Sequence, residues 1–205
     1  VVGSVKRNWR AWEGIIRGAS GGVLLEVKNG LAFELEGDVA AVLRKRKVGR
    51  AVRRFKEKQW AWLCQEVQRI EGTGAITMLG RGAFPAGQLH YASPVFLTKK
   101  KGPKKWRLVV DMREVNKGIT PPKFKYERLE DFVKLIGRGW FLFTLDLKEG
   151  YFHQVLAPEA AKWCGAVFFD HMKNENVWFR YNVLPFGLSL SPWHFSILVK
   201  ATFNY

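Results

Sequence analysis

Residues Phe141–His153, FLFTLDLKEGYFH, constrain this chain more than any other segment. An apolar run ends on one carboxylate, Asp146, then passes through a small polar turn into an aromatic pair, Tyr151 and Phe152. The run predicts a buried strand that delivers Asp146 rigidly to a turn. Desolvating a carboxylate is costly unless a positive charge meets it. Asp146 therefore has two readings, a cap for the next helix or a ligand for a metal ion.

With 205 residues, 47% of them apolar, the chain can bury one or two cores. Its net charge of +16 predicts a polyanionic partner, nucleic acid first and an anionic membrane surface second. No apolar run is long enough to span a bilayer, and the N-terminus lacks an apolar signal core. No membrane partner is expected, and the expected location is intracellular, cytoplasmic or nuclear. Cys64 and Cys164 lie far apart with no CxxC spacing, which argues against a zinc site and for two reduced core thiols.

Two regions are expected: an N-terminal arm and basic linker over 1–50, and a main domain over 51–205. The arm holds Trp9, Trp12, Ile15 and Ile16, a glycine break at 18–22, and apolar stretches at Val23–Val27 and Leu31–Leu35 that read as a hairpin or strand-like arm. Next comes RKRKVGRAVRRFKEK, Arg44–Lys58, with nine basic residues and one acid. It is a solvated face, a nuclear-import or nucleic-acid patch, or a membrane-surface helix. Val52, Phe55, Leu63, Val67 and Ile70 fall near helical spacing, predicting an amphipathic helix over about 51–71. Strands are expected at Pro94–Lys99, Trp106–Asp111, Val167–Phe169 and Val177–Tyr181. Helices are expected at Leu129–Ile136, after Lys148 and from Ser191 onward. The mixture does not alternate as βαβ units, so the class is α+β.

Three blocks in order, KWRLVVDMREVNK (105–117), the Asp146 segment, and NVLPFGLSLSP (182–192), resemble the reverse transcriptases of retroviruses and retrotransposons. The resemblance runs from about Val67 to Tyr205. The PFGLSLSP variant, and an N-terminal part with Trp9, Trp12 and GVLLEV, look more like LTR-type or DIRS-like retroelements than retroviruses. The resemblance implies the fingers and partial palm of a right-handed polymerase. It also implies a chain truncated before the second catalytic carboxylate motif, a Tyr-x-Asp-Asp hairpin. Asp38, Asp111, Asp131, Asp146 and Asp170 are the aspartates present, and no two are adjacent.

On this resemblance, Asp146 is the catalytic carboxylate and, with the Leu147 backbone carbonyl, holds Mg²⁺, with Mn²⁺ as the alternative ion. Hard cations of this kind take oxygen ligands, and two of them clamp the phosphoryl transfer. Arg107 lies along the triphosphate, and Lys100 meets the outer phosphate, with Lys99 and Lys101 one residue away. The alternative for this loop is a solvated hairpin tip. Tyr151 is the steric gate against a 2′-hydroxyl, or else a core aromatic like Phe152. Phe186 and Gly187 pack beneath the incoming base. Retroviral enzymes carry glutamine where Phe186 stands. Arg113 and Pro192 face the template and primer. Asp111 is chiefly structural. Trp106, Trp140, Trp163 and Trp178 are expected in the core, and His153 and His194 in structural roles.

The function implied is RNA-directed DNA polymerase activity, adding deoxynucleoside triphosphates to a DNA primer on an RNA template, and absent from this truncated stretch alone. The alternative is a non-catalytic nucleic-acid-binding remnant or domesticated protein that keeps the fold. The oligomeric state is left open.

Overall fold

The computed structural model describes residues 2–16, 21–49, 54–99, 106–126, 128–134, 136–144 and 146–203. Its centre is a five-stranded mixed sheet made of β1 (Ile76–Arg81), β2 (Ala92–Lys99), β3 (Trp106–Val110), β4 (Gly165–Asp170) and β5 (Glu175–Tyr181), in the spatial order β1-β5-β4-β2-β3. Only β2 and β4 run parallel, from Ala92↔Gly165 to Pro94↔Val167, and the other pairs are antiparallel. This is the expected α+β class. The central strand β4, GAVFFD, is buried over most of its length, as an apolar run covered on both faces should be. All four expected strands from 94 onward form, within one or two residues of their predicted ends.

The helix α5 (Glu57–Gly72) covers the sheet. Trp60, Leu63, Val67 and Ile70 recur at three- and four-residue intervals, and the last three are buried. Each such side chain contributes about 1.5–3 kcal/mol by leaving water. The Lys56 N–H donates to Gln59 Oε1 at 2.9 Å to start the helix, and Thr73 Oγ1 donates to the Ile70 carbonyl at 2.6 Å to close it. The helix begins later than expected, and Val52 falls outside the described residues. Phe55 is buried before the first turn, its N–H bonded to His171 Nε2 at 2.9 Å.

The N-terminal arm is helical, which corrects the expected hairpin. It forms α1 (Ser4–Arg7), α2 (Trp9–Ile16) and α3 (Gly21–Asn29), followed by α4 (Gly37–Arg46). The apolar stretch at 23–27 reads as strand by composition, but Val23 and Val27 are four apart and share one helix face. That face meets Val5, Trp9, Trp12 and Leu198 in a small core of its own. Beyond it, Leu31 exchanges backbone hydrogen bonds with Val155 and Ala157 at 2.9 and 2.8 Å. Gly30 makes this approach feasible: at φ +100°, a Cβ there would lie 2.8 Å from the Leu156–Ala157 backbone. Leu31, Leu35 and Leu43 join the main core with Leu63, Tyr91, Met112, Phe179 and Leu184.

Three short helices, α6 (Arg113–Asn116), α7 (Leu129–Val133) and α8 (Pro158–Ala161), and the long α9 (Leu190–Phe203) are the remaining α-helices among the described residues. The expected helix after Lys148 is a single 3-10 turn, Gly150–His153. The strand expected before Asp146 is not formed: residues 141–144, 146 and 147 carry no regular structure. Phe141 is 99% exposed and Phe143 82%. Strand composition alone does not make a strand, because its N–H and C=O groups need a neighbouring ladder. No strand of the five-stranded sheet pairs with this run. Trp163 and Trp178 are in the core as expected, whereas Trp140 is 65% exposed and Trp106 half-buried. Cys164 is buried and Cys64 only half-buried.

Candidate active site

A cleft of about 640 Å³ opens between α5, β3 and the loop after β5. Along β3 it runs from Trp106 to Val110, and Arg107 within it is exposed, paired in register with Thr98 of β2. From the other elements come Trp62, Glu66 and Arg69 of α5, Glu149 and Phe152 near the 3-10 turn, and Phe186 and Gly187. Three of the residues expected at a nucleotide site, Arg107, Phe186 and Gly187, thus line one cavity.

Tyr151 adjoins that cavity through its ring, 4.8 Å from Phe186 and 5.5 Å from Phe195. Phe186 also meets Phe152 edge-on at 5.7 Å. Burial raises the Tyr151 phenol above its ordinary range, and a hydrogen bond with Tyr126 adds to the shift, so Tyr151 is neutral at physiological pH. Phe152 is in the core, as expected.

Gly187 has φ +100°, and a Cβ there would meet the Val110 carbonyl at 3.3 Å. The loop is fastened by Asn116, whose Nδ2 donates to the Gly187 carbonyl at 2.8 Å while its Oδ1 accepts the Ser189 N–H at 2.9 Å. Ser191 Oγ donates to the Pro185 carbonyl at 2.8 Å. Pro192 is in the first turn of α9, where a missing N–H is tolerated.

Arg113 is elsewhere. It is 85% exposed and forms a two-pronged ion pair with Asp111 at 2.8 and 2.6 Å, beside a separate 310 Å³ pocket with Tyr91, Glu114 and Lys117. His194 is fully buried and His153 is bonded to Ser4 Oγ at 2.6 Å. Lys100 and Lys101 lie outside the described residues.

Asp146 and Leu147 are exposed and do not line the cleft. Among the described residues, no group of three or more His, Cys, Asp or Glu side chains is gathered as a metal site. A hard divalent cation requires several oxygen ligands. Asp146 and the Leu147 carbonyl provide one carboxylate and one carbonyl, by themselves an incomplete fit for such an ion.

Sequence reading missed Glu66 and Arg69 of α5, and Glu149 ahead of the 3-10 turn, which line the same cleft. Arg69 Nη2 is 2.9 Å from Glu66 Oε1 and 2.7 Å from Glu149 Oε1. The i,i+3 spacing of Glu66 and Arg69 was visible as a helix-face pair, but nothing in the sequence pointed to Glu149.

The chain's likeness to known proteins follows the same blocks. A model of the reverse transcriptase (RNA-dependent DNA polymerase) family matches residues 98–204. The retrovirus-related Pol polyprotein from transposon 412 of Drosophila melanogaster is 34% identical over 119 residues, covering 56% of this chain and 9% of that polyprotein. The Gag-Pro-Pol polyprotein of mouse mammary tumor virus (strain BR6) is 31% identical over 144 residues, covering 67% and 8%. The Pol polyprotein from transposon 297 of Drosophila melanogaster is 26% identical over 119 residues, covering 56% and 11%. The chain belongs to the reverse transcriptase family, as a domain of retroelement Pol type. It spans roughly a tenth of the length of these relatives, and they are consistent with the LTR-type expectation.

Proposed function

We propose that residues 51–205 are the fingers and the first part of the palm of an RNA-directed DNA polymerase, with 1–50 an N-terminal arm leading into them. The observation that carries this reading is the convergence of Arg107, Phe186 and Gly187 on one cleft, with the Tyr151 ring tilted against Phe186. Arg107 offers a planar guanidinium for triphosphate oxygens, as Lys100 does a point charge. Tyr151 lies under the sugar and leaves no room for a 2′-hydroxyl, which selects deoxynucleotides. Arg113 and Pro192 serve the template–primer side.

Asp146 and the Leu147 carbonyl are the share of the site this stretch supplies for Mg²⁺, or for Mn²⁺ in its place, and two-metal phosphoryl transfer is the chemistry such ions support. Further carboxylates come from elsewhere in a longer polyprotein, and this stretch alone does not polymerise. Partners are an RNA template, a DNA primer and deoxynucleoside triphosphates, inside the cell in cytoplasm or nucleus. The test is primer extension on an RNA template by the longer polyprotein. Asp146→Asn is expected to abolish it, and undiminished extension removes Asp146 from catalysis.

A second reading, a nucleic-acid-binding remnant, draws support from the net charge of +16 and the lack of a carboxylate cluster among the described residues. It predicts salt-dependent binding of polynucleotides, with no extension in any length of the protein.

A further inference from the structure

The turn that follows Asp146 is fixed by an ion triad that has no part in the reading above. Glu149 takes a left-handed backbone, φ 52° and ψ 45°, unusual for a residue with a side chain. It sits at the head of the 3-10 turn carrying Tyr151 and Phe152, and its carbonyl accepts the Phe152 N–H at 2.8 Å. Its carboxylate meets Arg69 of α5 at 2.7 Å across 80 residues of chain. Arg69 is itself held by both oxygens of Glu66, Nε to Oε2 at 3.0 Å and Nη2 to Oε1 at 2.9 Å. One helix face thus presents a pre-aimed guanidinium to one strained turn.

A direct role for Arg69 in holding phosphate fits poorly. Two carboxylates already occupy its fork, and a polyphosphate entering there would face both. Arg107, on β3 of the same cleft, has no acidic side chain bonded to it among the described residues. What the triad can do is mechanical. Asp146 belongs to a segment with no ladder, and Glu149 follows it by three residues, so anchoring Glu149 confines Asp146 to within about 11 Å of a fixed point.

We propose that Arg69 and Glu149 are positioning residues: their ion pair clamps the Lys148–Gly150 turn to α5 and so sets where Asp146 stands relative to the Arg107 cleft. This rests on the assignment of Asp146 above only for its consequence in catalysis; the clamp itself is a property of this chain. Glu66 orients the guanidinium from behind. Because Arg69 is 44% exposed, the clamp is sensitive to salt.

Hydrogen exchange on this 205-residue chain tests the clamp. Arg69→Gln and Glu149→Gln are each expected to speed exchange across 146–153 about tenfold, leaving β4 and β5 unchanged. The double variant should be no worse than either single, since both break the same pair. Should the variants fold poorly, 1 M NaCl on the unaltered chain provides the same reading, with faster exchange in 146–153 alone. Unchanged exchange in that segment, or additive effects in the double variant, overturns the clamp. In the longer polymerase, Arg69→Gln is expected to raise the Mg²⁺ concentration for half-maximal extension several-fold more than it raises KM for deoxynucleotide. The reverse split makes Arg69 a nucleotide contact and refutes the positioning role. If Asp146→Asn extends normally, Asp146 leaves catalysis while the exchange result still judges the clamp; if no length of the protein extends a primer, the polymerase assignment fails and the clamp is judged by exchange alone.

Discussion

Asn116 and Gly187, 71 residues apart, are joined by a 2.8 Å hydrogen bond from the Asn116 amide to the Gly187 carbonyl, and the same amide accepts the Ser189 N–H at 2.9 Å. One side chain from the end of α6 therefore satisfies both a donor and an acceptor of the loop that floors the cleft. It ties the block around Asp111 to the block around Phe186, which the sequence shows only as separate motifs.

Asn116→Ala removes both hydrogen bonds, to an exposed carbonyl and a half-buried N–H, and is expected to cost about 0.5–1.5 kcal/mol of stability. Asn116→Asp retains the acceptor for Ser189 but loses the donor to Gly187, and should fall between. Urea denaturation of the two variants, compared with the unaltered chain, checks the order.

Gly187→Ala places a side chain at φ +100° and 3.3 Å from the Val110 carbonyl. The left-handed backbone alone costs about 1–2 kcal/mol for a residue with a Cβ. Phe186→Ala, on an exposed ring, should be milder for folding. Thermal melting that ranks Phe186→Ala as the more destabilising change would show the loop to be held by its aromatic contacts and not by its backbone.

His194 supplies a pH dependence. Burial depresses its imidazole to about 4, and its Nδ1 stands 3.2 Å from Glu26 Oε2 of α3, whose own carboxyl is pushed up by burial. The unfolded chain takes up a proton near pH 6.5 that the folded chain refuses until about pH 4. Stability from the neutral imidazole is thus full above pH 6.5 and declines as pH falls toward 4. The Glu26 shift has the opposite sign, contributing below its unfolded value and fading as pH rises through the folded one. His194→Gln is expected to flatten the loss between pH 6.5 and 4, measured by denaturant midpoint at several pH values.

The buried carboxylate at the end of β4 makes a fourth case. Burial alone would raise the Asp170 carboxyl, but Arg81, bonded at 2.5 Å, and the N–H groups of Lys173 and Met172 outweigh it and hold it below the usual range. Its stabilisation is therefore full above the unfolded carboxyl range and is lost as pH falls through the folded value. Arg81→Met leaves Asp170, 4% exposed, without its cation. The expected loss is about 1–3 kcal/mol, less than for a fully buried pair because Arg81 is 43% exposed and two N–H donors remain on Asp170, with acid unfolding shifted to higher pH. A loss below about 1 kcal/mol would mean that the two N–H donors suffice.

Local pattern determined much of this protein. The period of Leu63, Val67 and Ile70 specified α5 apart from its start, and the apolar runs around Phe168 and Phe179 specified strands, because those faces find a core in any compact arrangement. The resemblance of their blocks to reverse transcriptases named Arg107, Tyr151 and Phe186 as parts of one site. Tertiary structure decided what depends on a partner. The stretch at Val23–Val27 became helix because its apolar face found Val5 and Leu198. The run before Asp146 stayed out of the sheet because a strand is stabilised by its neighbour's hydrogen bonds, which its own sequence does not contain. Asn116 on Gly187 and Arg69 on Glu149 were equally invisible: a contact across 70 or 80 residues leaves no periodicity, and only the folded chain brings its two ends together.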